Sequence, residues 1–345
     1  MSLALLLAGI ALVVFVFVDA VWTTLGLHQA GPIAGRVAGW TWQGLTRLHR
    51  AISNHAFLAS AGTVTLLAVA FTWVLLLFGG WFLIFLSDPD AVVAADTGLP
   101  ADSESRFYFV GYTLVTLGIG DYVPTGGWKA VTILCSVHGL FELTLAISYL
   151  LPVLGSATES RQLASSITGL GNTPQEILTR SWTGTDFGNL SSHLESISSE
   201  LGFHVHAHQA YPILHYFHAM QPESSPPLRI AVLNEAVTLL ECGIREDARP
   251  APPTLHAVRF TLTQYLRLLN AVYVAPSDDP PPPPDLRPLR AAGIPCVTDA
   301  EFEERLAEEA ERRRVLWGRV QHDGWTWEDV QNESEERSPE GVVLS

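Results

Sequence analysis

Three long apolar stretches dominate the first half of the chain: Leu3 to Leu25, Ala56 to Leu86 and Trp128 to Leu154. Because a bilayer core of about 30 Å needs about 20 helical residues, each stretch predicts a membrane-spanning helix. The second stretch has no charged residue and is longer than the core requires, so we expect it to tilt or protrude. The first lacks the basic start of a cleaved signal peptide, which favours a retained helix.

A shorter apolar segment separates the second and third stretches. Phe107 to Val115 is rich in aromatic residues and predicts a helix of about a dozen residues, which is too short to cross the bilayer. Such a helix must be re-entrant and buried among protein. It leads directly into Thr116 to Pro124, which has the pattern T-x-G-x-G-D-x-x-P.

Thr116 to Pro124 resembles the selectivity filter of the tetrameric potassium-channel family, and the layout of the chain is similar to that family from about His55 to Gly155. A G-x-G pair alone is a weak signal, because glycine pairs also mark ordinary turns. Here the pair stands between a re-entrant helix and a membrane-spanning helix. A strand can replace the hydration shell of an ion only if its carbonyls face one axis. That requires a backbone of alternating handedness, which glycine accepts at little steric cost.

The resemblance implies a role for each residue of the motif. The ion-binding filter would consist of Thr116, Leu117, Gly118, Ile119 and Gly120, with K⁺ at the first four, supported by Asp121 and Tyr112. The family most often has Val and Tyr where this chain has Leu117 and Ile119. Ile119 lacks the phenolic hydroxyl that could tie the filter to the pore helix, so the strictness of K⁺ over Na⁺ selection is the open point.

The third apolar stretch is expected to line the pore, and two of its residues are gating candidates. Gly139 lies 18 residues after Asp121, where a glycine serves either as a hinge or as a point of close helix packing. Pro152 removes a backbone hydrogen bond and predicts a kink near the cytoplasmic end. Such a kink would shape a gate.

Glu142 lies near the middle of the same stretch. A carboxylate at this depth costs about 2.5 to 3.5 kcal/mol, so it is expected to face water or a partner. We favour a position in a water-filled central cavity, where four copies would attract K⁺ and could bind polyamines or magnesium. The alternative is a buried contact with His138 or Asp19; Asp19 itself is interpreted as a packing or helix-end residue.

Charged residues in the loops predict the orientation. The loop after the first stretch has three arginines and no acid, whereas the loop before the pore helix has five acidic residues, the last being Glu104. The positive-inside rule therefore places the N-terminus outside and the C-terminal domain in the cytoplasm. Apolar residues at helical spacing between Ile33 and Ile52 predict a helix along the inner membrane surface.

The predicted fold class is an all-α membrane protein, with three transmembrane helices, a re-entrant pore helix and filter, and an α-helical cytoplasmic domain. The predicted segments are an extra N-terminal transmembrane helix (1–27), a cytoplasmic interfacial helix (28–54), the pore domain (55–155), a helical cytoplasmic domain (156–275), a Pro-rich linker (276–298), a charged helix (299–331) and a disordered tail (332–345). Within the cytoplasmic half, Thr173 followed by Glu176 has the form of a capping box, and Thr298 is expected to cap the charged helix.

A group of histidines stands out in the cytoplasmic half: His204, His208, His215 and His218. The spacing could place imidazoles on one helix face for Zn²⁺ or for pH sensing. The nearby aromatic residues and Pro212 favour a packed core or a subunit interface instead. The three cysteines match no zinc motif and predict free thiols.

Composition narrows the function further. The net charge is −15, which argues against a nucleic-acid partner. No set of catalytic groups, P-loop or dinucleotide motif is evident, so we do not expect an enzyme or an organic cofactor. Since one chain carries one filter motif, a homotetramer in membrane lipid is expected.

The sequence therefore predicts a K⁺ channel in the cell membrane, gated by the cytoplasmic domain through an unidentified ligand. Two alternatives stay open. One is a weakly selective monovalent cation channel, and the other is a non-conducting membrane sensor that binds an effector.

Overall fold

The computed structural model describes residues 1–26, 30–52, 55–272 and 275–331, arranged as two compact units. The first unit comprises Met1–Gly155 together with Ala210–Phe217, and the second comprises Ser156–Gln209 and the chain from His218 onward. The predicted tail 332–345 lies outside the described residues. The predicted cytoplasmic domain, 156–275, stays a prediction; residues 210–217 within that range belong to the first unit.

The first unit begins with three helices: α1 (Leu3–Leu25), α2 (Pro32–Ile52) and α3 (His55–Leu86). The α1 helix packs along α3, and the two backbones come closest at Gly9, where a β-carbon would lie 2.7 Å from the Gly80 carbonyl oxygen. The absence of a side chain at Gly9 therefore permits this crossing.

The remaining elements of the first unit are β1 (Val92–Ala94), α4 (Ser103–Leu114), β2 (Tyr122–Pro124) and α5 (Trp128–Leu170). The strands β1 and β2 pair antiparallel, with Val93 opposite Val123. Three helices in the described part of the chain are long and apolar enough to cross a membrane: Leu3–Leu25, Ser60–Leu86 and Trp128–Leu170. The predicted all-α membrane fold is confirmed, apart from this small sheet.

The second unit begins within α5, and its described secondary structure is helical apart from an isolated bridge between Ile244 and Cys296. Its further α-helices are α6 (Pro174–Ser181), α7 (Leu190–Ala210), α8 (Pro226–Thr238), α9 (Pro252–Val272), α10 (Arg287–Ala291), α11 (Asp299–Glu308), α12 (Ala310–His322) and α13 (Glu328–Gln331). The α8 helix is buried along its whole length and continues as a π-helical turn, Leu239–Gly243. Both predicted caps are present: the Thr173 hydroxyl accepts the Glu176 amide at 3.1 Å and that of Thr298 accepts the Glu301 amide at 3.3 Å.

The segment predicted as a Pro-rich linker contacts the second unit through its backbone carbonyls, although Pro280, Pro282 and Pro283 are exposed. Arg313 forms a buried ion pair with Glu235 at 2.9 Å and donates to the carbonyls of Pro281 and Pro282. Proline has no N–H, but its carbonyl still accepts hydrogen bonds. A buried guanidinium needs several hydrogen-bond acceptors. For Arg313 these are the Glu235 carboxylate and the two proline carbonyls, which connect the Pro-rich segment to α8 and α12.

Candidate functional site

The backbone of the motif after α4 alternates in handedness. Thr116 has φ 59°, Gly118 has φ 59° and Gly120 has φ 88°, whereas the intervening Leu117 and Ile119 are not in the left-handed region. Thr116 is the only non-glycine residue with positive φ in the described part of the chain. A β-carbon makes that conformation unfavourable, so the threonine is held there by its surroundings. The expected alternation of backbone handedness is present. It begins at Thr116, two residues before the first glycine of the motif.

The carbonyl groups of this segment are available to a ligand. Within the described residues, no hydrogen bond reaches a carbonyl oxygen between Thr116 and Gly120. All five residues are exposed, with Leu117 at 66% and Ile119 at 50%. A row of unpaired carbonyls is an unusual feature of a folded backbone, and it is the arrangement that ion coordination requires.

The α4 helix positions the start of the filter. The Asp102 side chain caps its N-terminus by accepting the Ser105 amide at 2.8 Å, and this bond lowers the pKa of Asp102. At the other end, the Thr116 amide donates to the Thr113 carbonyl at 3.0 Å and the Leu117 amide to the Tyr112 carbonyl at 2.8 Å. The helix C-terminus therefore continues into the filter without a loop.

The outer end of the filter is held by the group that we call the outer tie: Tyr112, Tyr122, Ser105 and the backbone of Ala95. The Tyr112 hydroxyl donates to the Tyr122 carbonyl at 2.6 Å, and the Ser105 hydroxyl donates to the Tyr122 hydroxyl at 2.8 Å. The Ala95 amide donates to the Asp121 carbonyl at 2.8 Å, next to the β1–β2 pairing. The sequence analysis predicted a supporting role for Tyr112 and Asp121. It predicted none for Tyr122, Ser105 or Ala95.

Arg106 is a second residue that the sequence analysis missed. It is 5% exposed and donates to the backbone carbonyls of Ala101, Phe85, Asp88 and Pro89. One guanidinium thus joins the end of α3, the outer loop and the start of α4. The available signal was a single arginine in an otherwise acidic loop.

The two gating candidates on α5 lie within an unbroken helix. A β-carbon on Gly139 would overlap the Leu114 carbonyl at the end of α4, and the nearby Ser136 hydroxyl donates to the Thr113 carbonyl at 3.0 Å. Of the two interpretations of Gly139, the structure therefore supports close packing. Pro152 is accommodated inside the helix.

Glu142 does not occupy the position that we favoured. It is 2% exposed and belongs to the buried stripe of α5, whereas a residue facing a shared central cavity would be exposed in one protomer. Its two carboxylate oxygens have no hydrogen-bond partner among the described residues. It lines a small space of about 120 Å³ beside Thr116 and Gly139. Glu142 is therefore buried within one protomer, while the alternative of a contact with His138 or Asp19 stays a prediction.

Asp19 is the N-terminal cap of α2. Its carboxylate accepts the amides of Ile33 at 2.6 Å and Ala34 at 3.2 Å, and the Trp73 indole donates to it at 2.8 Å. A carboxylate on α1 thus connects α2 and α3. The expected packing or helix-end role of Asp19 is confirmed.

The histidine group divides between the two units. The rings of His204 and His208 are in contact, with centroids 4.3 Å apart and an interplanar angle of 51°, and the His204 Nδ1 lies 2.8 Å from the Ser160 hydroxyl. His218 lies 3.1 Å from Asp323, whereas His215 belongs to the first unit. No three potential metal-binding side chains converge among the described residues. The described contacts are those of a buried polar core, as the alternative interpretation expected.

Comparisons with known proteins bear on the same region. A family model described as "Ion channel" matches residues 71–155, which include the end of α3, α4, the filter and the first part of α5. The chain is also 35% identical over 325 residues to a Bacillus subtilis (strain 168) protein named "Uncharacterized membrane protein YdjJ", covering 93% of this chain and 94% of the relative. No solved structure matches the chain significantly.

Proposed function

The chain belongs to the ion-channel family, and on that premise we propose that it conducts K⁺ passively through a pore made by four identical copies. The observation that carries the proposal is the alternating backbone of Thr116, Gly118 and Gly120 with its unpaired carbonyls. Carbonyl oxygens of Thr116, Leu117, Gly118 and Ile119 would replace water around the ion. Gly120 would complete the outer end.

The exposure of the filter supports a tetramer. One chain supplies one strand of carbonyls, and a cage around a monovalent ion needs several such strands around one axis. A closed cyclic arrangement of identical copies meets that need. The strand's exposed carbonyls and the exposed side chains of Leu117 and Ile119 would then be covered by neighbouring copies and by ions.

Conduction follows from electrostatics. Partly dehydrated ions would occupy adjacent carbonyl cages and repel one another onward. The α4 helix ends at Leu114, directly before the filter, and its C-terminal carbonyls carry a partial negative charge. Four such ends would favour a cation at the inner entrance.

The direction of the chain in the membrane is part of the proposal. The basic residues Arg36 and Arg47 on α2 are exposed and would lie on the cytoplasmic side, with the N-terminus of α1 outside. The helical second unit would then be cytoplasmic. It would gate the pore through α5, which runs unbroken from Trp128 to Leu170, in response to an unidentified ligand.

A weakly selective monovalent cation channel is the second candidate. Ile119 cannot donate a hydrogen bond from its side chain, so rigidity at that level of the filter depends on other residues. The outer tie supplies hydrogen bonds at Tyr122 instead, which favours K⁺ selectivity. A non-conducting sensor is the third possibility and is separated by the same experiment.

The test is planar-bilayer recording of the purified full-length protein with K⁺ on one side and Na⁺ on the other. We expect currents that reverse near the K⁺ equilibrium potential. Gly118→Ala should abolish them, because an alanine at φ 59° is strained. Gly127→Ala is the matched control, since no atom lies within 4 Å of its added carbon and its φ is not positive.

Each outcome decides between the candidates. Currents that reverse near zero would replace K⁺ selectivity with the second candidate. Absence of any current from protein that is folded and tetrameric would support the sensor. Equal currents from the two glycine variants would contradict the assignment of the filter.

A further inference from the structure

A short segment between α7 and α8 packs within the first unit. This segment, Ala210–Phe217, is flanked in the chain by residues of the second unit on both sides. It contains a 3₁₀ turn, Pro212–Tyr216, closed by bonds from the Leu214 amide to the Tyr211 carbonyl at 3.0 Å and from the Phe217 amide to the Leu214 carbonyl at 3.1 Å. We call it the inner strap.

Aromatic residues of the inner strap contact three helices of the first unit. Tyr211 lies edge-on to Tyr149 of α5, with centroids 5.8 Å apart and an interplanar angle of 71°. Tyr216 lies 5.5 Å from the ring of Trp42 on α2. These contacts have the geometry of favourable aromatic pairs.

The third contact is possible because Gly62 has no side chain. The ring of Phe217 fills the space where Gly62 of α3 would carry a β-carbon. Between these aromatic residues, Ile213 and Leu214 are 7% and 3% exposed. The inner strap is therefore seated in the first unit by its own apolar side chains.

The contact on α5 falls at a position that matters for a pore. Tyr149 is 4% exposed and stands three residues before Pro152, the residue at which α5 bends most easily. We propose that the inner strap restrains the inner end of α5 against α2 and α3, and that its release allows the helix to bend and the pore to open. This regulatory role rests on the proposed function as a channel.

Covalent continuity gives the inner strap a means of control. The inner strap begins at the end of α7 and is joined to α8 by residues 218–225, so a rearrangement of α7 would act on the strap directly and one of α8 would act through this connection. A ligand that binds the second unit would act on the pore in this way only by favouring one state of the strap.

Gly62→Ala is the sharpest test, because the added β-carbon would overlap the Phe217 ring and displace the strap without changing any side chain of the strap itself. Alanine has a higher helix propensity than glycine, so α3 itself is not weakened. Gly79→Ala, on the same helix, is the matched control, since nothing lies within 4 Å of its added carbon. Single-channel recording should show a rise in open probability of roughly three- to tenfold for Gly62→Ala, the range that loss of one aromatic pair gives. Conductance and reversal potential should stay unchanged.

A second readout does not require current. In a background lacking the three native cysteines, Leu214→Cys should react slowly with a water-soluble maleimide and much faster when combined with Gly62→Ala. Tyr211→Ala should raise open probability in the same direction, which guards against misfolding of one variant.

The outcomes separate this inference from the proposed function. Faster labelling with an unchanged or lower open probability would overturn the restraining role. Equal labelling in the Gly62→Ala and Gly79→Ala backgrounds would overturn the seating of the strap. Absence of current in every variant, including the parent protein, would contradict the channel itself, while the labelling would still report on the strap.

Discussion

Ile119 lies in the proposed filter and has no side-chain hydrogen bond of its own. The position lies between two glycines with positive φ, so its own backbone geometry is set by its neighbours. Its side chain has no hydroxyl that could donate a hydrogen bond. The hydroxyls of Tyr112 and Ser105 instead donate hydrogen bonds to Tyr122, at the end of the same segment. Two of the side chains that hold Tyr122, those of Tyr112 and Ser105, therefore lie outside the Thr116 to Pro124 motif.

Tyr112→Phe tests this arrangement by removing a single hydrogen bond. An intramolecular hydrogen bond contributes about 0.5–1.5 kcal/mol net, so we expect the K⁺ to Na⁺ permeability ratio to fall roughly fivefold, with the tetramer intact. The ratio is obtained from reversal potentials. Tyr149→Phe, which changes a tyrosine far from the filter in sequence, should leave the ratio unaltered, and an equal fall in both variants would reject the outer tie as a determinant.

At the scale of elements, α2 owes its start to a residue from another helix. The Asp19 carboxylate accepts two amides of the first turn of α2 and the indole N–H of Trp73. It is 1% exposed. The negative charge also interacts favourably with the positive end of the helix. A single buried side chain thus determines where the amphipathic helix begins relative to α1 and α3.

Asp19→Asn should uncouple these helices. Asparagine has one acceptor oxygen for three donors, and each buried donor left unpaired costs about 1–3 kcal/mol. We expect a clear drop in the thermal midpoint of the detergent-solubilised protein and faster amide exchange at Ile33 and Ala34. Asp96→Asn, an exposed acidic residue in the outer turn, is the control. Unchanged exchange at the two amides would show that the cap is dispensable.

The elements also show which parts of the fold the sequence could predict. Long apolar runs and capping residues such as Thr173 indicate helices. The reason is that the hydrogen bonds of a helix, including those at its caps, join residues that are close in sequence. The strands β1 and β2 are three residues each, too short to show a pattern. The buried position of Glu142 and the packing of the Pro-rich segment depend on contacts with distant residues. Periodicity along one helix cannot distinguish a face that meets water from one that meets protein.

In the candidate site, too, features set by neighbouring residues could be predicted and those set by distant contacts could not. Thr116, Gly118 and Gly120 were identifiable because carbonyl alignment requires special backbone angles. Ser105 and Tyr122 pair across 17 residues and Arg106 bonds Phe85 across 21 residues; no local pattern identifies these partners.

At the scale of the whole molecule, we expect two histidines, the buried His204 and the half-buried His208, to make the stability of the second unit depend on pH. The Ser160 hydroxyl donates to the Ser156 carbonyl at 2.8 Å, so it accepts from Nδ1 of His204. Burial lowers the pKa of His204 well below its usual range and that of His208 to about 4, with nearby Arg319 adding to both shifts. Asp323 acts in the opposite direction on His208.

The sign of the effect follows from linkage. Unfolded histidine titrates near pH 6.5, so between that value and about pH 4 the unfolded chain binds more protons than the folded one. Stability contributed by the neutral His208 ring is therefore complete above pH 6.5 and is lost as the pH falls towards 4, by about 3 kcal/mol in all. Thermal unfolding of the full-length protein measured across this range should show the loss.

His208→Gln should reduce that pH dependence, whereas His206→Gln, at an exposed position on the same helix, should retain it. Other groups face the cluster as well: Tyr265 contacts His204 with centroids 5.8 Å apart, and His218 and Arg319 both lie 3.1 Å from Asp323. If the two variants lose stability in parallel between pH 6.5 and 4, the acid sensitivity does not come from His208. A difference confined to His208→Gln would assign it to the histidine whose ring contacts that of His204, the ring held by Ser160 of α5.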